Sequence, residues 1–252
     1  MAKHHPQLRS IINSRSFLNA ISILSSLVVG GALLWNVAFE GPSVRQLAKD
    51  REMLTRSQVG LPSEPITLQG ADIQGDQRAQ VALIIFSDFQ CPYCGKLARD
   101  TLPAIEERLV RKGRILVAFR HFPLEVMHHS ARKAAEAAEC AGRQGKFWKM
   151  HDLLFRDQKH LDESTFRKSA LDLGLNLTQF NACLDGQATD KVQQDIRLAR
   201  ALKITGTPTL FFGFIQPNQF VKVSRRFTGN IQIAQLEEVY KSFVTTNQSA
   251  ER

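Results

Sequence analysis

The 252-residue sequence predicts a mixed α/β domain, and three observations carry that reading. Residues 81–86 (VALIIF) and 115–119 (ILVAF) are unbroken apolar runs of strand length, as in strands buried on both faces. A long stretch, 123–202, has helical spacing throughout. Two further strand-like runs, 207–214 and 220–227, then follow, joined by the turn residues Gln216-Pro217-Asn218.

The remaining elements fall between these landmarks. Leu97, Thr101, Ile105 and Leu109 recur every four residues and predict a helix after the first strand, kinked at Pro103. In the helical stretch, Ala131, Ala134, Ala135 and Ala138 make one close-packing face, and Phe147, Met150, His151 and Leu154 another. Asp162 or Ser164 is the expected N-cap before Phe166. Ile233, Leu236, Val239, Tyr240 and Phe243 close the chain on an amphipathic helix.

The N-terminal part reads differently. Residues 17–39 form an apolar run without a charge, long enough for a membrane-spanning helix. Lys3, Arg9 and Arg15 precede it, which predicts a cytoplasmic basic tail over 1–16 and export of everything after the span. A cleaved signal peptide is the competing reading, with Asn36-Val37-Ala38 a poor cleavage site. Residues 40–65 read as a polar stalk or linker, broken by Gly41-Pro42 and by Pro62 and Pro65. The predicted location is the inner membrane, crossed once, with the folded domain facing the periplasm.

Composition excludes little beyond this. Hydrophobic residues are 43% and charged residues 23%, ordinary for a globular chain. The net charge is +9, but the basic residues are spread out, with the densest groups at Arg111/Lys112/Arg114 and Lys222/Arg225/Arg226. No run reaches the length of a binding tail, so these are expected to be solvated faces and no nucleic-acid partner is expected.

The chemistry centres on Cys91-Pro92-Tyr93-Cys94. A zinc site would need a second pair of ligands at matching spacing. Cys140 and Cys183 are single and far apart, and His128, His129 and His151 supply no such pattern, so no metal is expected. A purely structural Cys91–Cys94 bridge would close too small a loop to constrain the unfolded chain. A redox pair fits better. Cys91 stands where a strand gives way to a helix, and free N–H groups and the helix dipole there favour a thiolate. Cys94 lies one turn on, on the same side, where it can resolve a mixed disulfide. Pro92 suits the first helical turn. Further on, Gly206-Thr207-Pro208-Thr209 puts a proline at a strand entrance. A cis Thr207–Pro208 bond would expose backbone groups beside the cysteines; an ordinary turn proline is the alternative.

Residues 86–94 (FSDFQCPYC) with 206–209 (GTPT) resemble the DsbA-like branch of the thioredoxin superfamily, and 134–141 (AAEAAECA) and 145–148 (GKFW) resemble that branch's helical insert. The resemblance spans about residues 65–245. It implies an α/β thioredoxin fold with an inserted α-helical domain, here preceded by the N-terminal transmembrane helix. The first part of that fold would cover 66–122, the insert 123–202 and the second part 203–246, leaving a tail at 247–252. The activity implied is extracytoplasmic thiol–disulfide exchange without a cofactor. Cys91 would be the nucleophile, Cys94 the resolving thiol and Pro208 the cis-proline. Pro92, Tyr93 and Thr207 would support the site.

Two features qualify the resemblance. Members of the branch often carry a Glu six residues before the first cysteine, where this chain has Ile85. Asp88 reads as a turn or cap residue rather than a substitute acid. The branch also implies a structural Cys140–Cys183 disulfide in the insert, contributing on the order of 4 kcal/mol through the loop it closes. Two buried free thiols are the alternative.

The expected clients are exported proteins with cysteines, and a membrane redox partner would regenerate the pair. An oxidase is favoured by compartment and family. A reductase or isomerase with the same site, and a tethered chaperone using the fold to hold peptides, stay open.

Overall fold

The computed structural model describes residues 60–250. The expected span over 17–39, the basic tail and most of the stalk lie outside these residues. Among the described residues, no helix is long and apolar enough to cross a membrane.

A six-stranded sheet organises the domain, in the order β1-β6-β5-β3-β4-β2. Its centre is β3 (Val81–Ser87), parallel to β4 (Leu116–His121) and antiparallel to β5 (Thr209–Gln216). Every residue of β3 is buried, as its unbroken apolar run requires. The period of two divides it between layers. Ala82, Ile84 and Phe86 face a core shared with the helical insert, and Val81, Leu83 and Ile85 face one shared with the first and last helices. Outside this trio, β6 (Phe220–Thr228) pairs with β5 and with the two-residue β1 (Ile66–Thr67), and β2 (Asp72–Gln74) pairs with β4. The β5–β6 ladder shifts register between Phe212 and Gly213, where a Cβ on Gly213 would collide with the Lys222 carbonyl.

After β3 the chain forms α1 (Pro92–Lys96), a π-helical turn (Leu97–Thr101), α2 (Leu102–Ile105) and a second π-helical turn (Glu106–Val110). The break expected at Pro103 therefore takes the form of widened turns, with Leu102 N–H reaching back to Leu97 O. The insert contains α3 (Ala131–Gly142), α4 (Phe147–Arg156), α5 (Glu163–Asp172), α6 (Leu177–Ala182) and α7 (Thr189–Ala201). Asp162 caps α5 by accepting from Thr165 N–H. α8 (Ile233–Ala250) closes the fold.

A buried ionic staple fastens the insert to the sheet. Arg120 on β4 donates to Asp195 of α7 at 2.8 Å, and to the carbonyls of Thr67 at 2.9 Å and Gln69 at 2.6 Å. Asp195 also accepts from His121 N–H at 3.0 Å and from Lys191 at 2.7 Å. Both oxygens of this carboxylate thus face donors, as a buried charge needs. The disulfide Cys140–Cys183 ties α3 to the turn after α6.

Candidate active site

The strand–helix junction builds the site. Cys91 is the N-cap of α1, with extended backbone (φ −69°, ψ 122°), and Pro92 opens the helix. Cys91 and Cys94 are both free thiols and both buried, at 4% and 1% exposure, whereas Tyr93 between them is 65% exposed. The Thr207–Pro208 peptide bond is cis, and the Cys91 thiol donates to Thr207 O at 3.2 Å. The fold thus brings together Cys91, Cys94, Thr207 and Pro208, which the sequence holds far apart. Cys140 and Cys183 are bonded to each other, away from this group.

The two thiols are electrostatically unequal. A hydrogen bond from Cys94 lowers the Cys91 pKa to about 5, against the opposing effect of burial, with help from Thr207 and the Cys94 and Tyr93 N–H groups. Burial, and then the neighbouring Cys91, push the Cys94 pKa well above the usual thiol value. Cys91 is therefore the member ionised near neutral pH and Cys94 the one that keeps its proton. Such a pair is suited to thiol–disulfide exchange.

Sequence reasoning underestimated Asp88. Its side chain is fully buried and accepts from Gln90 N–H at 2.7 Å and from Leu124 N–H at 2.8 Å, and its Oδ2 lies 2.8 Å from His128 Nδ1. It acts as the turn residue expected, and it also pins the 122–130 segment to the cysteine loop. Gln90 adds a second tie by accepting from Ser130 N–H at 2.6 Å. Asp88 N–H points at Cys94 Sγ from 3.5 Å. At the position where the branch often carries an acid, Ile85 is fully buried in the core.

Among the described residues, Asp72, His121 and Glu139 place ligand atoms within 4.8 Å of one another. Their charges are already met from within the protein. Lys191 Nζ lies 3.1 Å from Glu139 Oε1, and His121 Nε2 lies 2.8 Å from the same oxygen. Burial and the adjacent Glu139 push the Asp72 pKa up to about 8. Burial disfavours ionisation of Glu139, yet His121, Lys191 and Asp72 together hold it at about 2. Asp72 is thus the carboxyl that keeps its proton, and Glu139 the ionised one facing Lys191.

A dithiol at a helix start, facing the carbonyl before a cis-proline that leads into an inner strand of the sheet, defines a thioredoxin-fold redox protein. The Thioredoxin_4 family model, described as thioredoxin, matches residues 68–217, and the chain belongs to that family. Among solved structures it is similar to α-DsbA1 of Wolbachia pipientis, with TM-score 0.65 and 23% identity over 74% of this chain and 97% of that one. It is also similar to oxidised BdbD of Bacillus subtilis, with TM-score 0.59 and 21% identity over 71% and 98%. The catalytic domain of Proteus mirabilis ScsC gives TM-score 0.55 and 21% identity over 76% and 97%. The fold is therefore DsbA-like. A 148-residue stretch is 37% identical to part of the Na(+)/H(+) antiporter NhaA 3 of Salinispora tropica, covering 58% of this chain. The chain spans only 22% of that relative's length.

Proposed function

We propose that the chain is a thiol–disulfide oxidoreductase, and specifically an extracytoplasmic dithiol oxidase acting on cysteine-containing exported proteins. The observation that carries this reading is the asymmetry of the dithiol, with Cys91 favouring the thiolate and Cys94 the thiol. In the oxidised enzyme a client thiolate attacks Cys91 Sγ, forming a mixed disulfide and expelling the Cys94 sulfur, which takes up a proton. The client's second thiolate then attacks its own disulfide-bonded sulfur and expels Cys91 as a thiolate. Two electrons pass from client to enzyme, and one disulfide forms in the client. A thiol of low pKa leaves readily, which drives the second step.

A membrane partner would remove the two electrons and restore the Cys91–Cys94 disulfide. The apolar run at 17–39 would tether the domain beside that partner. Retention of the full chain in alkaline-washed membranes tests the tether; release into the wash removes it.

The reduction potential of Cys91/Cys94, equilibrated against glutathione, tests the direction. A value near about −120 mV fits an oxidase, whereas one near about −270 mV overturns it in favour of a reductase.

A further inference from the structure

Gln158 lies in the turn after α4 and reaches from the insert to the cysteine loop. Its Nε2 donates to the carbonyl oxygen of Phe89 at 2.8 Å and to that of Cys91 at 2.7 Å. Among the described residues, no other side-chain amide spans two carbonyls of this loop. Its Oε1 faces Arg99 Nη1 at 3.4 Å, and the same nitrogen donates to Phe155 O at 2.9 Å. With its oxygen turned to a guanidinium, the amide can present only its NH₂ group to the loop.

Gly95 bears on the same contact. It is helical, outside the positive-φ glycines, so its backbone needs no glycine. Glycine inside a helix is a poorer choice than alanine unless space demands it. Here space does. A Cβ on Gly95 would overlap Gln158 Oε1, and would come within 2.8 Å of Arg99 Nη1 and 2.9 Å of Gln158 Cδ. Gly95 N–H meanwhile donates to the same Cys91 carbonyl, at 3.0 Å.

We propose that Gln158 is a positioning residue for Cys91, holding the backbone of the nucleophile from the helical insert, and that Gly95 is small in order to admit it. The two amide hydrogens offset the partial negative charge of carbonyls beside the sulfur. They also fix the loop so that the Tyr93 and Cys94 N–H groups face Cys91. The proposal rests on the reading of Cys91 as the nucleophile.

The test is a thiolate titration of the reduced full chain by absorbance at 240 nm, with the thermal midpoint recorded for each protein. Gln158→Ala should raise the Cys91 pKa by about half a unit to one unit, the size of one net hydrogen bond. Gln158→Glu keeps a partner for Arg99 but sets an acceptor against two carbonyls, so it should shift the pKa at least as far, whatever the accompanying change in thermal midpoint. Gly95→Ala should displace Gln158 and reproduce the Gln158→Ala shift, and the double variant should shift no further than either single one. Unmoved titrations overturn the proposal, as does a fall in midpoint alone or simple addition of the two shifts. A wild-type Cys91 that titrates as an ordinary thiol would instead remove the underlying reading of the nucleophile.

Discussion

Asp88 and His128 meet at 2.8 Å, 40 residues apart in the chain, and the same carboxylate oxygen accepts from Leu124 N–H. Through this contact the entrance to the helical insert is built into the cysteine loop. Asp88→Ala should leave part-buried donors at Gln90, Leu124 and His128 without their acceptor. The expected loss is about 1–3 kcal/mol in urea unfolding, together with slower alkylation of Cys91. Unchanged stability and reactivity would reduce the contact to decoration.

The low pKa of Cys91 links reactivity to pH. Its folded value, about 5, lies below that of an unfolded thiol. The stability it contributes to the reduced form is therefore fully present above the unfolded pKa and is lost as pH falls through about 5. Alkylation of Cys91 should follow its thiolate fraction, with half-maximal rate near pH 5. Cys94→Ala removes the principal hydrogen bond and should move this midpoint upward.

Asp72 predicts the opposite dependence. Its folded pKa, about 8, stands above its unfolded value, so its contribution is fully present below about pH 4 and is lost as pH rises through 8. Between those limits it should tilt stability downward by about 1.4 kcal/mol per pH unit. Asp72→Asn keeps a donor towards Glu139 without the titration. Urea midpoints from pH 4 to 9 should show the variant gaining on the wild type as pH rises; a constant difference would contradict the raised pKa of Asp72.

The staple between sheet and insert should be expensive to break on one side. Asp195→Ala strands Arg120, which is 3% exposed, and should cost about 3–5 kcal/mol. Replacing both residues with apolar ones of similar volume should cost less. Equal losses would mean that packing rather than charge holds α7 in place.

The Cys140–Cys183 bond is accessible to mass spectrometry. A Cys91→Ser/Cys94→Ser variant, unfolded without reductant, should take up no alkyl groups, and two would show free thiols. Removing the bond should cost about 2–5 kcal/mol.

Long apolar strands were the legible part of the fold. Unbroken hydrophobicity sufficed for β3, since nothing but a doubly buried strand suits such a run at that length. β1 and β2 are too short for any period to register, and their pairing depends on Val221 and Phe220 or on residues 117–119 far along the chain. The first helix of the insert begins at Ala131 rather than soon after Pro123. The intervening residues take their shape from Asp88 and Gln90, a tertiary cause with no local signature. Cys94, Thr207 and Pro208, which surround the nucleophile, were suggested by two short motifs. Gln158 was invisible, because a glutamine in a polar turn carries neither periodicity nor spacing.

Thr207 and Pro208 are synthesised more than a hundred residues after Cys91, and Gln158 about midway. A partly made chain therefore carries the local groups that act on Cys91, Cys94 above all, before the Thr207 contact exists. The last contribution to the nucleophile is thus added with β5, when the chain's own cysteines at 140 and 183 are already in the insert.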